Sequence, residues 1–106
     1  MTPRLRAVKG TRDLFPPESD RWAEAERLAR STFGSWGYGE VRTPVLEDTA
    51  LFARSVGETT DIVHKEMYTF PDRKGRSLTM RPENTAGVVR ALVEKGLASG
   101  PMPLRL

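Results

Sequence analysis

Residues 65–96 read KEMYTFPDRKGRSLTMRPENTAGVVRALVEKG, and the order of elements in this stretch governs the reading of the chain. Glu66–Pro71 and Arg76–Arg81 have the character of two strands. Asp72-Arg73-Lys74-Gly75 between them carries turn residues at both ends, so a hairpin is predicted. After Arg81 the pattern changes. Pro82 forces extended geometry on Arg81, and Asn84 or Thr85 is placed to cap a helix running to about Lys95. Ala86, Val89 and Val93 share one stripe of that helix, flanked by Val88 and Leu92. Arg90 and Lys95 favour its C-terminal end, and Gly96 is its stop signal.

Working toward the N-terminus, residues 58–65 fit no single pattern. A short helix is predicted around Thr49–Ser55, closed by Gly57. Before it, Glu40–Leu46 alternates Val41, Thr43 and Val45 with Glu40, Arg42 and Pro44, which suits a short strand. Pro44 has no amide hydrogen, so this strand is expected at an edge or broken there. A longer helix is predicted from about Glu18 to Trp36. Trp22, Ala25, Leu28, Ala29, Phe33 and Trp36 recur there at spacings of three and four. Ser19 or Asp20 is the expected cap, and Gly37 the stop. Residues 1–17 read as an irregular arm. The C-terminal LASGPMPLRL looks like a loop entering a strand, and a strand at the very end leads us to expect a fragment of a larger domain.

The chain has 106 residues, 38% of them hydrophobic and 29% charged, which excludes a disordered acidic tail. No apolar run approaches the roughly 20 residues of a membrane helix, and the basic N-terminus has no apolar stretch after it, so no secretory signal is expected. Cysteine is absent, which removes disulfides and thiolate metal sites and makes a cytoplasmic location the expectation. The net charge of +3 is unevenly spread. Arg4, Arg6, Lys9 and Arg12 fall among the first twelve residues, where there is no acid, and the rest of the chain is close to balanced. A solvated terminus is the simpler reading of that arm, and contact with phosphate the alternative.

No glycine-rich nucleotide loop of either common kind is present, and a single histidine, His64, leaves no Ser-His-Asp arrangement and no histidine metal cluster. His64 reads more simply as a partly exposed side chain than as a ligand. Trp22 and Trp36 are expected to pack a core or a subunit interface. The one local feature with chemical promise is Thr79–Thr85, where Glu83 and Thr85 place a carboxylate and a hydroxyl two residues apart at the start of a helix. The helix dipole favours the ionised carboxylate. An ionised carboxylate beside a hydroxyl suits an ammonium group, since it offers several acceptors with charge assistance. Helix capping is the plainer role for the same residues.

At these segments the chain resembles the N-terminal part of a bacterial histidyl-tRNA synthetase, a class II aminoacyl-tRNA synthetase. KGTRDLFP at 9–16 is similar to that family's opening signature, and GYGEVRTPVLE at 37–47 to class II motif 1. The block at 51–91 combines VGETTDIV, KEMYTF and RPE-x-TAGVVRA segments. The resemblance implies an α+β fold, part of an antiparallel sheet flanked by helices, and a homodimer formed through the motif 1 region around Arg42 and Pro44. It implies that L-histidine and ATP, with Mg2+, form histidyl-adenylate, and that the histidyl group then passes to tRNA(His). By the same resemblance Glu83 and Thr85 hold the amino group of histidine, with Asn84 lining that pocket through its backbone.

The family more often has glycine at position 84. Asparagine enters left-handed geometry less freely than glycine, so this departure bears on the backbone there. Motifs 2 and 3 and the anticodon-binding domain fall outside these residues in the family. No catalytic residue and no metal ligand are therefore expected here, and the chain alone is expected to be inactive. A regulatory paralogue of the synthetase, serving ATP phosphoribosyltransferase, and a stand-alone interaction module are the rival readings. The KEMYTF and RPE-x-TAGVVRA blocks favour the synthetase over the paralogue, and the expected terminal strand argues against the module.

Overall fold

The computed structural model describes residues 2–56, 67–101 and 103–106. Two compact units are present, residues 1–40 with Arg105, and residues 41–104 with Leu106.

The first unit is built on α1, Glu18–Ser35. Neither Ser19 nor Asp20 caps it, contrary to the expectation. The helix starts at Glu18 as expected, but with Pro17 at the cap position and no side-chain bond there. The carbonyls of Phe15 and Pro17 already accept the amides of Ser19 (2.9 Å) and Arg21 (3.3 Å), so the first turn is closed by backbone. Arg12 reaches Glu18 in an ion pair and takes one cation of the arm out of the free charge. Gly37 ends the helix as predicted: its φ is +80°, and its amide and that of Tyr38 return to Gly34 and Phe33. Trp22 and Trp36 are 51% and 70% exposed, and no residue of α1 is buried, so the core role expected for the tryptophans is not met within this chain.

The second unit holds a three-stranded antiparallel sheet among its described residues, in the order β1–β3–β2. The strands are β1 (Leu46–Asp48), β2 (Thr69–Pro71) and β3 (Ser77–Met80). Helix α2 (Thr49–Val56) follows β1, α3 (Thr85–Glu94) follows β3, and a 3-10 turn spans Leu97–Ser99. The predicted hairpin is observed, with Thr69 opposite Thr79 and Pro71 opposite Ser77. Asp72 builds its turn: Oδ1 accepts the amides of Lys74 (2.9 Å) and Arg76 (2.8 Å), Oδ2 accepts Arg76 Nε, and Gly75 takes φ +83°. These bonds hold the Asp72 carboxyl below the usual range, the Arg76 amide contributing most.

Two elements differ from expectation. The strand predicted over 40–46 is regular only at Leu46–Asp48, on the far side of Pro44, where Leu46 faces Met80 and Asp48 faces Leu78. Proline ends the ladder on its N-terminal side because it has no amide to give, and β1 lies at a sheet edge as expected. The tail predicted to enter a strand instead makes the 3-10 turn, after Gly96 at φ +71° stops α3. The closing glycine of α2, Gly57, and residues 58–66, including His64, lie outside the described residues. Phe52 on α2 is buried at 2% exposure. No helix among the described residues is long and apolar enough to cross a membrane.

Candidate functional site

The site grows from the hand-over between β3 and α3. Arg81 continues the ladder one residue beyond β3, its amide donating to the carbonyl of Val45 at 2.9 Å. Pro82 then turns the chain out of the sheet, and α3 begins at Thr85. Asn84 occupies the cap position but its side chain makes no capping bond. Glu83 caps instead. Its Oε2 accepts the Thr85 amide at 2.5 Å and its Oε1 the Ala86 amide at 3.0 Å.

This corrects the choice of Asn84 or Thr85 as the cap and joins the two roles considered for Glu83. The carboxylate serves the helix, and the Ala86 amide with the Thr85 amide and hydroxyl takes three of its roughly four acceptor sites. Its pKa is lowered, chiefly by the Ala86 amide and further by the Thr85 amide and hydroxyl, with desolvation acting the other way. Glu83 and Thr85 are both exposed. An ionised carboxylate and a hydroxyl thus sit together within reach of solvent.

Asn84 has φ −103° and ψ −19°, in the right-handed region. A side chain is accommodated there without strain, so replacing the commoner glycine costs the backbone nothing. The Asn84 Oδ1 accepts from Thr43 Oγ1 at 2.8 Å and from Arg81 Nη1 at 3.2 Å. The same Arg81 Nη1 lies 3.1 Å from the Thr43 carbonyl and 3.3 Å from its hydroxyl. Thr43 is therefore tied to both Arg81 and Asn84.

Behind this turn, α3 sits very close to the 43–47 segment. Gly87 is buried, and a Cβ there would lie 3.1 Å from Glu47 Oε1 and 3.4 Å from Thr43 Oγ1. Glu47, only 7% exposed, is gripped through both oxygens: Arg90 Nη2 donates to Oε1 at 3.0 Å, and Arg90 Nε lies 2.8 Å from Oε2 as an ion-pair contact. Glu47 is the main reason the Arg90 pKa is raised. The place of Arg90 near the C-terminal end of α3 suits the helix dipole, but its guanidinium reaches Glu47 on β1 as well as Glu94 on its own helix.

Thr79, fully buried, bonds through its hydroxyl to Thr49 (2.8 Å) and Thr69 (2.9 Å), and Thr49 also meets Ser77 at 2.7 Å. Sequence reasoning missed these three arrangements, because each joins residues far apart in the chain. The alternation Ser77, Thr79 on one strand face was the one available signal. Arg42 and Pro44 are exposed, on the segment leading into β1. Among the described residues no group of three or more histidine, cysteine or acidic side chains is arranged to hold a metal ion.

An antiparallel sheet with helices packed on it, and a strand-to-helix turn bearing RPE-x-T, defines an α+β piece of a class II synthetase-like fold. The sequence model of the family described as histidyl-tRNA synthetase matches residues 10–106, and the chain belongs to that family. A histidine–tRNA ligase of Maridesulfovibrio salexigens is 65% identical over 91 residues, covering 86% of this chain and 22% of its own length. One from Nitratidesulfovibrio vulgaris is 56% identical over 109 residues, covering 93% of this chain and 26% of the relative.

Among solved structures, apo histidyl-tRNA synthetase of S. aureus superposes with a TM-score of 0.79 at 37% identity, over 94% of this chain and 23% of that one. A Bacillus halodurans protein described as an ATP phosphoribosyltransferase regulatory subunit/histidyl-tRNA synthetase gives 0.71 at 25% identity, over 97% and 26%. The chain spans about a quarter of the length of the relatives it matches.

Proposed function

We propose that the complete gene product is a histidine–tRNA ligase and that residues 83–85 receive the amino group of its amino-acid substrate. The observation that carries this reading is the Glu83 carboxylate, kept ionised by two backbone amides yet exposed beside the Thr85 hydroxyl. An ammonium has three donors, and the remaining acceptor site of the Glu83 carboxylate, with the Thr85 oxygen, gives it charge-assisted acceptors. The identity of 56–65% to proteins named histidine–tRNA ligase supports the same reading.

In the reaction, the carboxylate of L-histidine attacks the α-phosphorus of ATP and pyrophosphate leaves, giving histidyl-adenylate. A hydroxyl of the terminal ribose of tRNA(His) then takes the histidyl group and AMP departs. Holding the ammonium fixes the substrate carboxylate relative to the phosphate, so this element contributes positioning. Neutralising phosphate charge falls to groups elsewhere. Mg2+ accompanies ATP in the proposal. The described residues offer it no donor cluster, and no step is assigned to it here. The homodimer is proposed to form through the segment around Arg42 and Pro44, and the cytoplasm is the proposed location. The 106 residues alone are proposed to be inactive.

ATP–pyrophosphate exchange by the complete gene product, tried with each amino acid, tests the reading. Exchange with histidine alone is expected. A folded protein that exchanges with none would be read instead as the regulatory paralogue.

A further inference from the structure

Position 84 holds a side chain that does nothing for the helix it begins. Its Oδ1 is instead shared between the Thr43 hydroxyl and the Arg81 guanidinium. A guanidinium has no acceptor, so the atom facing Arg81 must be the amide oxygen, and the orientation of the Asn84 side chain is thereby settled. Arg81 in turn binds the Thr43 carbonyl, and its own amide is anchored on Val45. Two residues of the turn region, Arg81 and Asn84, are thus tied to the segment before β1. Asn84 is flanked by Glu83 and Thr85. Fixing its side chain to Thr43, 41 residues away, fixes the peptide planes on both sides, and with them the direction of the Glu83 carboxylate and the Thr85 hydroxyl.

We propose that Asn84 is a positioning residue for the amino-acid substrate, latching the Glu83–Thr85 receptor to Thr43. The inference rests on the reading of Glu83 and Thr85 given above. It assigns Asn84 a role made by its side chain, beyond lining the pocket with backbone. A latch of this kind acts on the binding of the ammonium and leaves nucleotide binding alone, so it separates from a general loss of structure by which Michaelis constant moves.

The test is histidine-dependent ATP–pyrophosphate exchange by the complete gene product, with wild type, Asn84→Ala, Thr43→Val, the double variant, Thr43→Ser and Glu83→Ala in parallel. Losing one link of the latch should raise the histidine KM about 5-fold, the scale of one net hydrogen bond. The ATP KM and kcat should stay within about 2-fold of wild type, since binding of the ammonium is weakened equally in the ground and transition states. The double variant should be no worse than the poorer single one, because both break the same link. Thr43→Ser keeps the hydroxyl and should keep the wild-type KM.

An unchanged histidine KM in Asn84→Ala and Thr43→Val would overturn the latch, as would multiplying effects in the double variant or histidine and ATP KM rising together. Glu83→Ala separates the two failures. If it cripples histidine use while Asn84→Ala does not, only the latch falls. If Glu83→Ala leaves the histidine KM unchanged, the receptor and the latch fall together.

Discussion

Glu83 caps α3 and, in the function proposed above, would also receive the substrate; its titration can be read separately from that chemistry. Its folded pKa lies below the ordinary glutamate value because the ionised form accepts the Ala86 and Thr85 amides. The stability these bonds provide is therefore fully present above the ordinary value and is lost as pH falls through the lowered folded value. Asp72 titrates in the same direction, held down by Arg76, so the acid limb of the wild-type curve contains both groups. Comparing wild type with Glu83→Gln isolates one of them. The variant should melt lower at neutral pH, and the gap should close below the ordinary glutamate range. Thermal unfolding followed at a series of pH values checks this, and a gap that ignores pH would show that the carboxylate is not what caps α3. Residue preferences offer a capping role to Glu83 and Thr85 but place Asn84 or Thr85 at the cap position itself, so the choice of Glu83 over Asn84 was not legible in them. Asn84 is unavailable because Thr43 and Arg81 claim it, and nothing within a few residues of position 84 announces that.

At the scale of elements, the contact between α3 and the 43–47 segment decides the sign of a common stabilising substitution. Alanine in place of a helical glycine gains up to about 1 kcal/mol in an unencumbered helix. At Gly34 on α1 nothing lies within 4 Å of the added Cβ, so Gly34→Ala should stabilise by about 0.5 kcal/mol near the helix end. At Gly87 the same methyl meets Glu47 Oε1 at 3.1 Å and Thr43 Oγ1 at 3.4 Å. Glu47 is held by Arg90 and Thr43 by Asn84, so neither can withdraw easily. Overpacking of this kind costs about 1–3 kcal/mol, and Gly87→Ala should therefore lower the melting temperature where Gly34→Ala raises it. Thr79→Val, which keeps the shape and deletes a buried hydroxyl with two partners, should cost about 1 kcal/mol in the same assay. The hairpin was legible in advance because Asp72 and Gly75 encode its turn locally, and α3 because its stripe and Gly96 are local too. The place of β1 was not. Its alternating residues start at Glu40, but pairing is set by Met80 and Leu78, and the usable ladder begins only past Pro44.

At the scale of the whole molecule, the exposed apolar surface sets what the 106 residues do by themselves. Scattered exposed apolar residues are ordinary. Here Trp22 (51% exposed), Phe33 (57%) and Trp36 (70%) recur along one helix at the spacing that normally marks a buried stripe, with Leu28 also exposed beside them. The sheet adds to this, because β3 is covered by a strand on each side while β1 and β2 each pair on one side only among the described strands. An exposed apolar stripe of this sort on α1 marks an interaction face. The isolated chain should consequently self-associate. Sedimentation velocity at micromolar concentration should show species heavier than the monomer, and Trp22→Lys combined with Phe33→Glu should shift the distribution toward the monomer by charging the α1 stripe. If the double variant associates as strongly as wild type, the contact resides in the sheet edges and α1 is not the adhesive surface. If the wild-type chain sediments as a single monomeric boundary, the apolar stripe of α1 does not drive association at all.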